Sequence, residues 1–310
     1  MFPQRQTAAC DDKQDESPAM RSAQSQSPAS LTPQPLDRRK FVWLGSGALV
    51  TGMAFGGYAN QVEPHHLVLE RRTIRLPRIS RAVDGFRIAL MSDHHLFPFT
   101  PRELLQRAVE EANALRADLI LLAGDYVCTD AESIRELAPI LGRLNAKYGV
   151  FAVLDNYDCW RQPDLVRAQL AAQSIEVLVN RGLHVGPGAG RLFLAGLDSV
   201  WRGVPDPVRA FAGYREGNLA LAVVHEPDYF PTLVRLTPVD LQLSGHSHGG
   251  QIRIPALGPV ILPPWGRIYH TGFYELNGHY VYTGRGLGMV GLPLRFDCPP
   301  EVTEITLEVA

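Results

Sequence analysis

Cysteine is scarce and unpatterned in this chain of 310 residues: Cys10, Cys128, Cys159 and Cys298 stand at irregular spacings with no C-x-x-C. That excludes a small disulfide-stapled fold and a thiolate zinc finger. An excess of charge of one sign is also missing. The 30 Lys and Arg stand against 32 Asp and Glu, a formal net charge of −2. With no clear local basic patch, the chain as a whole attracts neither a nucleic-acid backbone nor an anionic membrane, and no nucleic-acid partner is expected. Aromatic residues make up only 8%. There is no G-x-S-x-G elbow of a serine hydrolase. Gly45-Ser46-Gly47 lacks the lysine of a phosphate-binding loop. Gly286-Leu287-Gly288-Met289-Val290-Gly291 matches a dinucleotide fingerprint, but Pro293 and the little chain that remains exclude the required unit. What is present is an apolar share of 45%, enough for a sizeable core.

The chain divides into three parts. Residues 1–36 are rich in Gln, Ser, Pro and Ala without periodicity, and are expected to be a disordered tail. Arg38-Arg39-Lys40 then precede an uncharged stretch, Phe41 to Ala59, holding five glycines. Residues 37–59 are expected to be a twin-arginine-like export signal, with small residues at Gly57 and Ala59 for cleavage. The competing reading is an uncleaved inner-membrane anchor, since the 19 residues approach the length of a spanning helix and the basic cluster holds the N-terminus inside. Either reading places the rest in the periplasm or cell envelope, with the export machinery or a lipid surface as a partner. Residues 60–310 form the third part, a single large domain.

Within it, apolar runs of strand length alternate with helical segments. Phe86–Met91, Leu119–Ala123, Val150–Leu154, Ile175–Val179, Leu192–Leu197, Leu219–Val224 and Val239–Leu243 read as strands. Helices are expected over Pro101–Arg116, Ala131–Asn145 and Asp164–Gln173, the first opening on a proline at the position it favours. This alternation predicts an α/β domain with parallel pairing in its first half. After residue 250, short β segments between Gly and Pro turns, ending in the alternating Val302–Val309, predict mixed or antiparallel structure.

Five polar motifs each follow one of those apolar runs: Ser92-Asp93-His94-His95, Gly124-Asp125, Asp155-Asn156-Tyr157-Asp158, His225-Glu226-Pro227-Asp228 and Gly245-His246-Ser247-His248-Gly249-Gly250. The carboxyl ends of parallel strands share one edge of a sheet, so motifs far apart in sequence can converge there. Oxygen and imidazole donors without thiolates suit Mn, Fe, Zn, Co or Ni. Asp93, His95, Asp125, Asn156, His225, His246 and His248 are more donors than one tetrahedral ion needs. A carboxylate such as Asp125 can bridge two divalent ions that hold a hydroxide between them for in-line attack on phosphorus.

These motifs, in order and spacing, resemble the signature of the calcineurin-like metallophosphoesterases over roughly residues 85–310. The His-x-Pro-Asp and Gly-His-Ser-His-Gly-Gly-Gln segments are most similar to its bacterial exported or membrane-associated branch, related to UDP-2,3-diacylglucosamine pyrophosphatase-like members. The resemblance implies two stacked mixed sheets flanked by helices, with metals at the strand carboxyl ends. It also implies that Asp93, His95, Asp125 and His248 hold one ion, and that Asp125, Asn156, His225 and His246 hold the other. The implied activity is hydrolysis of a phosphodiester or pyrophosphate bond, on a lipid- or nucleotide-linked substrate. One position departs from the pattern: Tyr157 stands where the family carries a His that serves as leaving-group acid. A tyrosine with an ordinary pKa near ~10 is a poor acid, which favours leaving groups that need little protonation. The alternative is a catalytically weakened metal-binding or interaction module.

His94 is weighed as a substitute acid against a packing role, and Arg285, after the strand Tyr280-Val281-Tyr282, as a phosphate contact against a structural arginine. Asp158 is expected to orient its loop, and Gln251 to hold the Gly249-Gly250 loop. The tract Pro255–Trp265 is expected to pack as an ordinary hairpin, with a lipid-facing lip as the rival. Cys128 and Cys159 either pair after export or remain buried thiols.

Overall fold

The computed structural model describes residues 52–77, 80–187 and 192–310. The expected tail and most of the signal or anchor segment therefore lie outside the described residues. In chain order the elements are β1 (Val68–Leu76), β2 (Arg87–Met91), α1 (Arg102–Ala114), β3 (Leu119–Leu122), α2 (Ile134–Leu141), β4 (Val150–Ala152), α3 (Asn156–Arg161), α4 (Pro163–Ala171) and β5 (Glu176–Val177). They continue with β6 (Arg181–Val185), β7 (Leu192–Gly196), α5 (Pro207–Ala210), β8 (Leu219–Val223), α6 (Phe230–Leu236) and β9 (Leu241–Ser244). The ribbon β10 (Arg253–Ile254) and β11 (Gly258–Pro259) follows, then β12 (Gly272–Leu276), β13 (His279–Thr283) and β14 (Glu301–Val309).

Two six-stranded sheets result, ordered β1-β14-β2-β3-β4-β5 and β12-β13-β9-β8-β7-β6. In the first, β2 to β5 run parallel as expected, while β14 lies antiparallel to β2 and parallel to β1. In the second, β7, β8, β9 and β13 are parallel, and the edge strands β6 and β12 are antiparallel. The period-2 geometry of strands sorts their side chains into layers. Ile88, Leu90, Leu119 and Leu121 of the first sheet meet Leu192, Leu194, Leu219 and Leu221 of the second in a core between the sheets. Ala89, Met91, Ile120 and Leu122 point the other way, onto Leu105, Ala108, Val109 and Ala112 of α1 and onto α2 and α4. On the far side Phe193, Ala195, Ala220 and Ala222 pack beneath Ala210 of α5 and Leu233 of α6. The architecture is thus a sandwich of two sheets flanked by helices.

Three local differences from expectation have physical reasons. The helix expected from Ala131 begins as a 3-10 turn, Ala131–Ser133, capped by the Asp130 side chain on Glu132 N–H, before α2 starts. The Asp155-Asn156-Tyr157-Asp158 motif is not a loop but the start of α3. The Asp155 carboxylate accepts from the N–H groups of Tyr157 at 2.9 Å and Asp158 at 3.3 Å, satisfying two of the donors that a helix start leaves free. In β14 the polar positions do not face water: Glu301 and Thr303 are buried with Val302 and Ile305, because this strand lies inside the first sheet and is covered on both faces. Glu301 there accepts from Tyr282 Oη at 2.9 Å and Thr303 Oγ1 at 2.6 Å.

The N-terminal edge of the described chain is built into the fold. A helical stretch at 52–57 leads into a π-turn at Tyr58–Val62, within which Ala59 is buried and its carbonyl accepts from Arg295 N–H at 2.9 Å. Glu63, also buried, accepts from Cys298 N–H at 2.5 Å. The boundary expected between Ala59 and Asn60 therefore falls inside packed structure. Among the described residues no helix is long and apolar enough to cross a membrane.

Candidate metal centre

β2, β3, β4, β8 and β9 end at one edge of the sandwich, and the residues following them are the five motifs. One ligand atom from each of Asp93, His95, Asp125 and His248 lies within 4.8 Å of the others, and the same holds for Asp125, His225 and His246. Asp125 belongs to both groups, the placement a bridging carboxylate needs. Its Oδ2 lies 3.1 Å from His95 Nε2 and 3.2 Å from His225 Nε2. His248 Nε2 is 3.4 Å from Asp93 Oδ1 and 3.1 Å from His95 Nε2. Asn156 is buried beside Asp125 on the same cleft, and its Oδ1 has no hydrogen-bond partner.

The outward nitrogens fix how the rings are presented. His95 Nδ1–H donates to Val127 O at 3.1 Å, His225 Nδ1–H to Ala123 O at 2.5 Å, and His246 Nε2–H to Pro264 O at 2.7 Å. In each ring the other nitrogen then faces the cluster, where it ligates an ion once it has given up any proton, the arrangement characteristic of metal-ligating histidines. Buried, unpartnered acceptors at Asp125 Oδ1 and Asn156 Oδ1 point the same way, since such groups are costly without a partner. The donor set, all oxygen and imidazole, fits divalent transition ions.

Backbone strain concentrates here. Asp93 (φ 53°), His95 (φ 42°), Asp125 (φ 55°), His246 (φ 74°) and His248 (φ 52°) all occupy the left-handed region. Non-glycine residues rarely adopt it, and such strain clusters at functional sites. Two glycines make room for the centre. A Cβ on Gly124 would come 2.4 Å from Asp155 Oδ2, and one on Gly286 would come 2.6 Å from the Asp93 Cβ. The 286–291 glycine motif, rejected as a dinucleotide site, thus has a role: Leu287 N–H and Gly288 N–H donate to Ser92 O and Asp93 O at 3.0 and 2.6 Å, bracing the first motif from behind.

Electrostatics divides the histidines. Burial alone would lower His225, but the Asp125 carboxylate outweighs it and pushes the ring up to about 10. His95 is raised well above its usual value in the same way, burial opposing and Asp125 prevailing. Asp125, despite burial, is held well below the usual carboxylate range by these two rings. His248 is pushed down to about 3 by burial, aided by the charges of His95 and Arg295. Asp158, pushed up to about 7 by burial and then by Asp125, ties α3 to the Asp125 loop by accepting from the N–H groups of Tyr126 at 3.3 Å and Val127 at 3.4 Å.

A cleft of about 440 Å³ opens over the cluster, floored by Asp125, Asn156, His246 and His248 and walled by Tyr157, Trp201, Ile261 and Leu292. The Tyr157 ring stands edge-on to His95, with centroids 5.0 Å apart. Burial, then Asp125, push its phenol up to about 12. His94, in contrast, is wholly buried and stacks on Tyr126 at 5.2 Å, away from the cleft lining. Burial pushes it down to about 4. Arg285 does not line the cleft either: its Nε donates to Glu301 at 2.5 Å and its Nη2 to Glu70 at 3.3 Å. Gln251 holds a different loop from the one expected, its amide meeting Val290 N–H and the carbonyls of Val290 and Leu292. Cys128, Cys159 and Cys298 are free thiols.

Sequence reasoning missed three groups that shape this site. Glu226, fully buried next to His225, accepts from Ser199 Oγ at 2.6 Å and from Val200 and Trp201 N–H at 3.0 Å each, which sets Trp201 at the cleft. Asp228 accepts from the N–H groups of Arg267, Ile268 and Tyr269 and so fixes the loop after Trp265. Both lie in the His225 motif, and an acid flanking a ligand was the available signal. Arg295 had none: it is wholly buried and donates to the carbonyls of Arg285, Gly286, Gly288 and Cys298.

The fold and the convergent cluster define a metal-dependent phosphoric ester hydrolase. Residues 86–250 match the family model of the calcineurin-like phosphoesterases, and the chain belongs to that family. It is 34% identical over 285 residues to an uncharacterized metallophosphoesterase of Bacillus subtilis, YkuE, an alignment covering 88% of this chain and 98% of that one. It is 31% identical over 277 residues to the phosphodiesterase YaeI of Escherichia coli, covering 88% and 99%. To the UDP-2,3-diacylglucosamine pyrophosphatase LpxG of Chlamydia muridarum it is 26% identical over 330 aligned positions, covering 84% and 97%.

Proposed function

We propose that this protein hydrolyses a phosphodiester or pyrophosphate bond using two divalent ions, one held by Asp93, His95, Asp125 and His248, the other by Asp125, Asn156, His225 and His246. The observation that carries the reading is the membership of Asp125 in both ligand groups. Ions bound there supply Lewis acidity and make hydroxide available at neutral pH. The chain's own residues do the rest. Val127 O, Ala123 O and Pro264 O hold three imidazoles in the tautomer a ligand requires. Glu226 positions the Trp201 wall, and the cleft floor receives the phosphoryl group while its apolar walls limit water.

Tyr157 occupies the place of the family's acid histidine and keeps its proton, with a phenol near about 12. It serves as a hydrogen-bond donor to the leaving oxygen rather than as an efficient acid. The preferred substrates therefore have leaving groups that depart with little protonation: a phosphoanhydride, as in the pyrophosphate that LpxG's name describes, or an aryl ester. The test uses the full chain, stripped and reloaded separately with Mn, Fe(II), Co, Ni or Zn, on bis-aryl phosphodiester, aryl monoester and a UDP-sugar pyrophosphate, beside Asp125→Ala. Metal-dependent turnover absent from the variant is the expected result. Stoichiometric metal with no turnover on any substrate would overturn the hydrolytic reading.

A further inference from the structure

We propose that the apolar rim of the cleft docks on a lipid bilayer, seating the mouth of the candidate metal centre among the headgroups so that its substrate is taken from the membrane surface. Residues 254–265 contain no charged side chain. Instead of packing as an ordinary hairpin, the β10–β11 ribbon and the segment after it hold their apolar groups in solvent. Leu257 is 81% exposed, Ile261 76% and Ile268 64%, with Ile254, Val260, Trp265 and Leu292 exposed beside them. Ile261, Val260 and Leu292 also line the cleft, so the exposed surface and the mouth of the site are continuous. An apolar surface of this kind on a soluble domain marks an interaction site, and an aromatic such as Trp265 at its border suits the interface between hydrocarbon and water.

The apolar stretch that joins the domain at Ala59 identifies the occupant. The uncharged stretch that ends at Ala59, preceded by Arg38-Arg39-Lys40, is apolar enough in sequence to associate with lipid. Its described end lands on this rim. Phe55 stacks on Phe296 with centroids 4.1 Å apart, Tyr58 meets the same ring at 6.3 Å, and Asn60 Nδ2 donates to Pro293 O at 2.6 Å. Phe296 in turn is bonded to the base of the ribbon, donating to Gln251 O at 3.0 Å and accepting from Arg253 N–H at 2.9 Å. Met53, Phe55, Tyr58 and Val62 are exposed here as well. The described end of that segment, residues 52–60, therefore packs beside the base of the ribbon and next to Leu292 at the cleft mouth. The rim is held rigidly for the purpose: Asp228 fixes the backbone of 267–269, and Gln251 clamps 290–292. Docking of this kind delivers a phosphoester or anhydride carried on a lipid headgroup without extracting its acyl chains from the bilayer. That last step rests on the phosphoesterase reading; the docking does not.

The experiment is hydrogen exchange on the full chain, with and without vesicles of equal parts phosphatidylcholine and phosphatidylglycerol. Vesicles are expected to slow amide exchange in peptides covering 254–268 and 291–293 by about tenfold or more. Leu257→Asp combined with Ile268→Asp should abolish that slowing while leaving metal-dependent turnover of a soluble bis-aryl diester unchanged. Vesicle binding with no slowing over 254–268 would overturn the proposal, because the N-terminal segment alone would then be the anchor. Slow exchange without vesicles would also overturn it: growing with protein concentration, it would assign the rim to a second copy, and independent of concentration, to the chain's own N-terminal segment. Vesicle-dependent slowing in a protein inactive on every soluble substrate would leave docking standing and remove the hydrolytic reading.

Discussion

Asp125 sits between His95 and His225, and its negative charge, outweighing burial, favours the protonated form of both rings. A metal ion must displace those protons, because only neutral imidazole ligates. Since the folded His225 value lies near about 10, metal affinity should rise with pH through the neutral range and fall as the pH drops. Calorimetry at pH 7 in buffers of differing ionisation heat should show protons released on metal binding; a proton count of zero would contradict this. Tyr157 carries the other prediction at this scale. Tyr157→His restores an acid that works near neutral pH, and should raise kcat/KM on an alkyl diester by about 10²-fold or more, with a much smaller gain on an aryl diester. Equal gains on the two would refute the leaving-group argument. These residues were legible in the sequence because five motifs each follow an apolar run. The companions Glu226 and Arg295 were not, since nothing in sequence spacing tells which backbone groups a buried acid or guanidinium will satisfy.

At the scale of elements, the strands were readable from apolar runs and the helix α1 from Leu104, Leu105, Ala108, Val109 and Ala112 recurring on one face. The second sheet was not readable from the residues alone. Ile88 and Ala89, or Leu119 and Ile120, are apolar on both faces of their strands, and a strand buried on both sides reads the same in one doubly wound sheet or in two stacked ones. Only the family resemblance separated the two. The short α3 was hidden because its start is made by the Asp155 cap, in a segment too short to show a period. The segment 285–298 behaves as a structural element although it has little regular structure, organised around Arg295. Arg295→Met would leave several buried carbonyls without donors, each costing about 1–3 kcal/mol. Unfolding in urea should show a loss of about 3 kcal/mol or more, with weakened metal binding because this segment braces Asp93. A variant as stable as the parent would refute that role.

For the molecule as a whole, the two-sheet sandwich brings strand ends from both sheets to one edge, and Val260, Ile261 and Leu292 of the apolar rim line the cleft that opens there. The motif order predicted the convergence. The rim was legible only as the weaker of two alternatives, because an apolar tract looks the same in sequence whether it is packed inward or left exposed, as Leu257 and Ile261 are. The central claim is that the buried cluster holds two ions that share Asp125. Its most direct test is the metal content of the purified full chain at saturation, by equilibrium dialysis and elemental analysis, beside Asp125→Ala. The account predicts two divalent ions per chain and loss of both, or at least about a hundredfold weaker retention, in the variant. One ion per chain, or two that remain equally tight without Asp125, would contradict it.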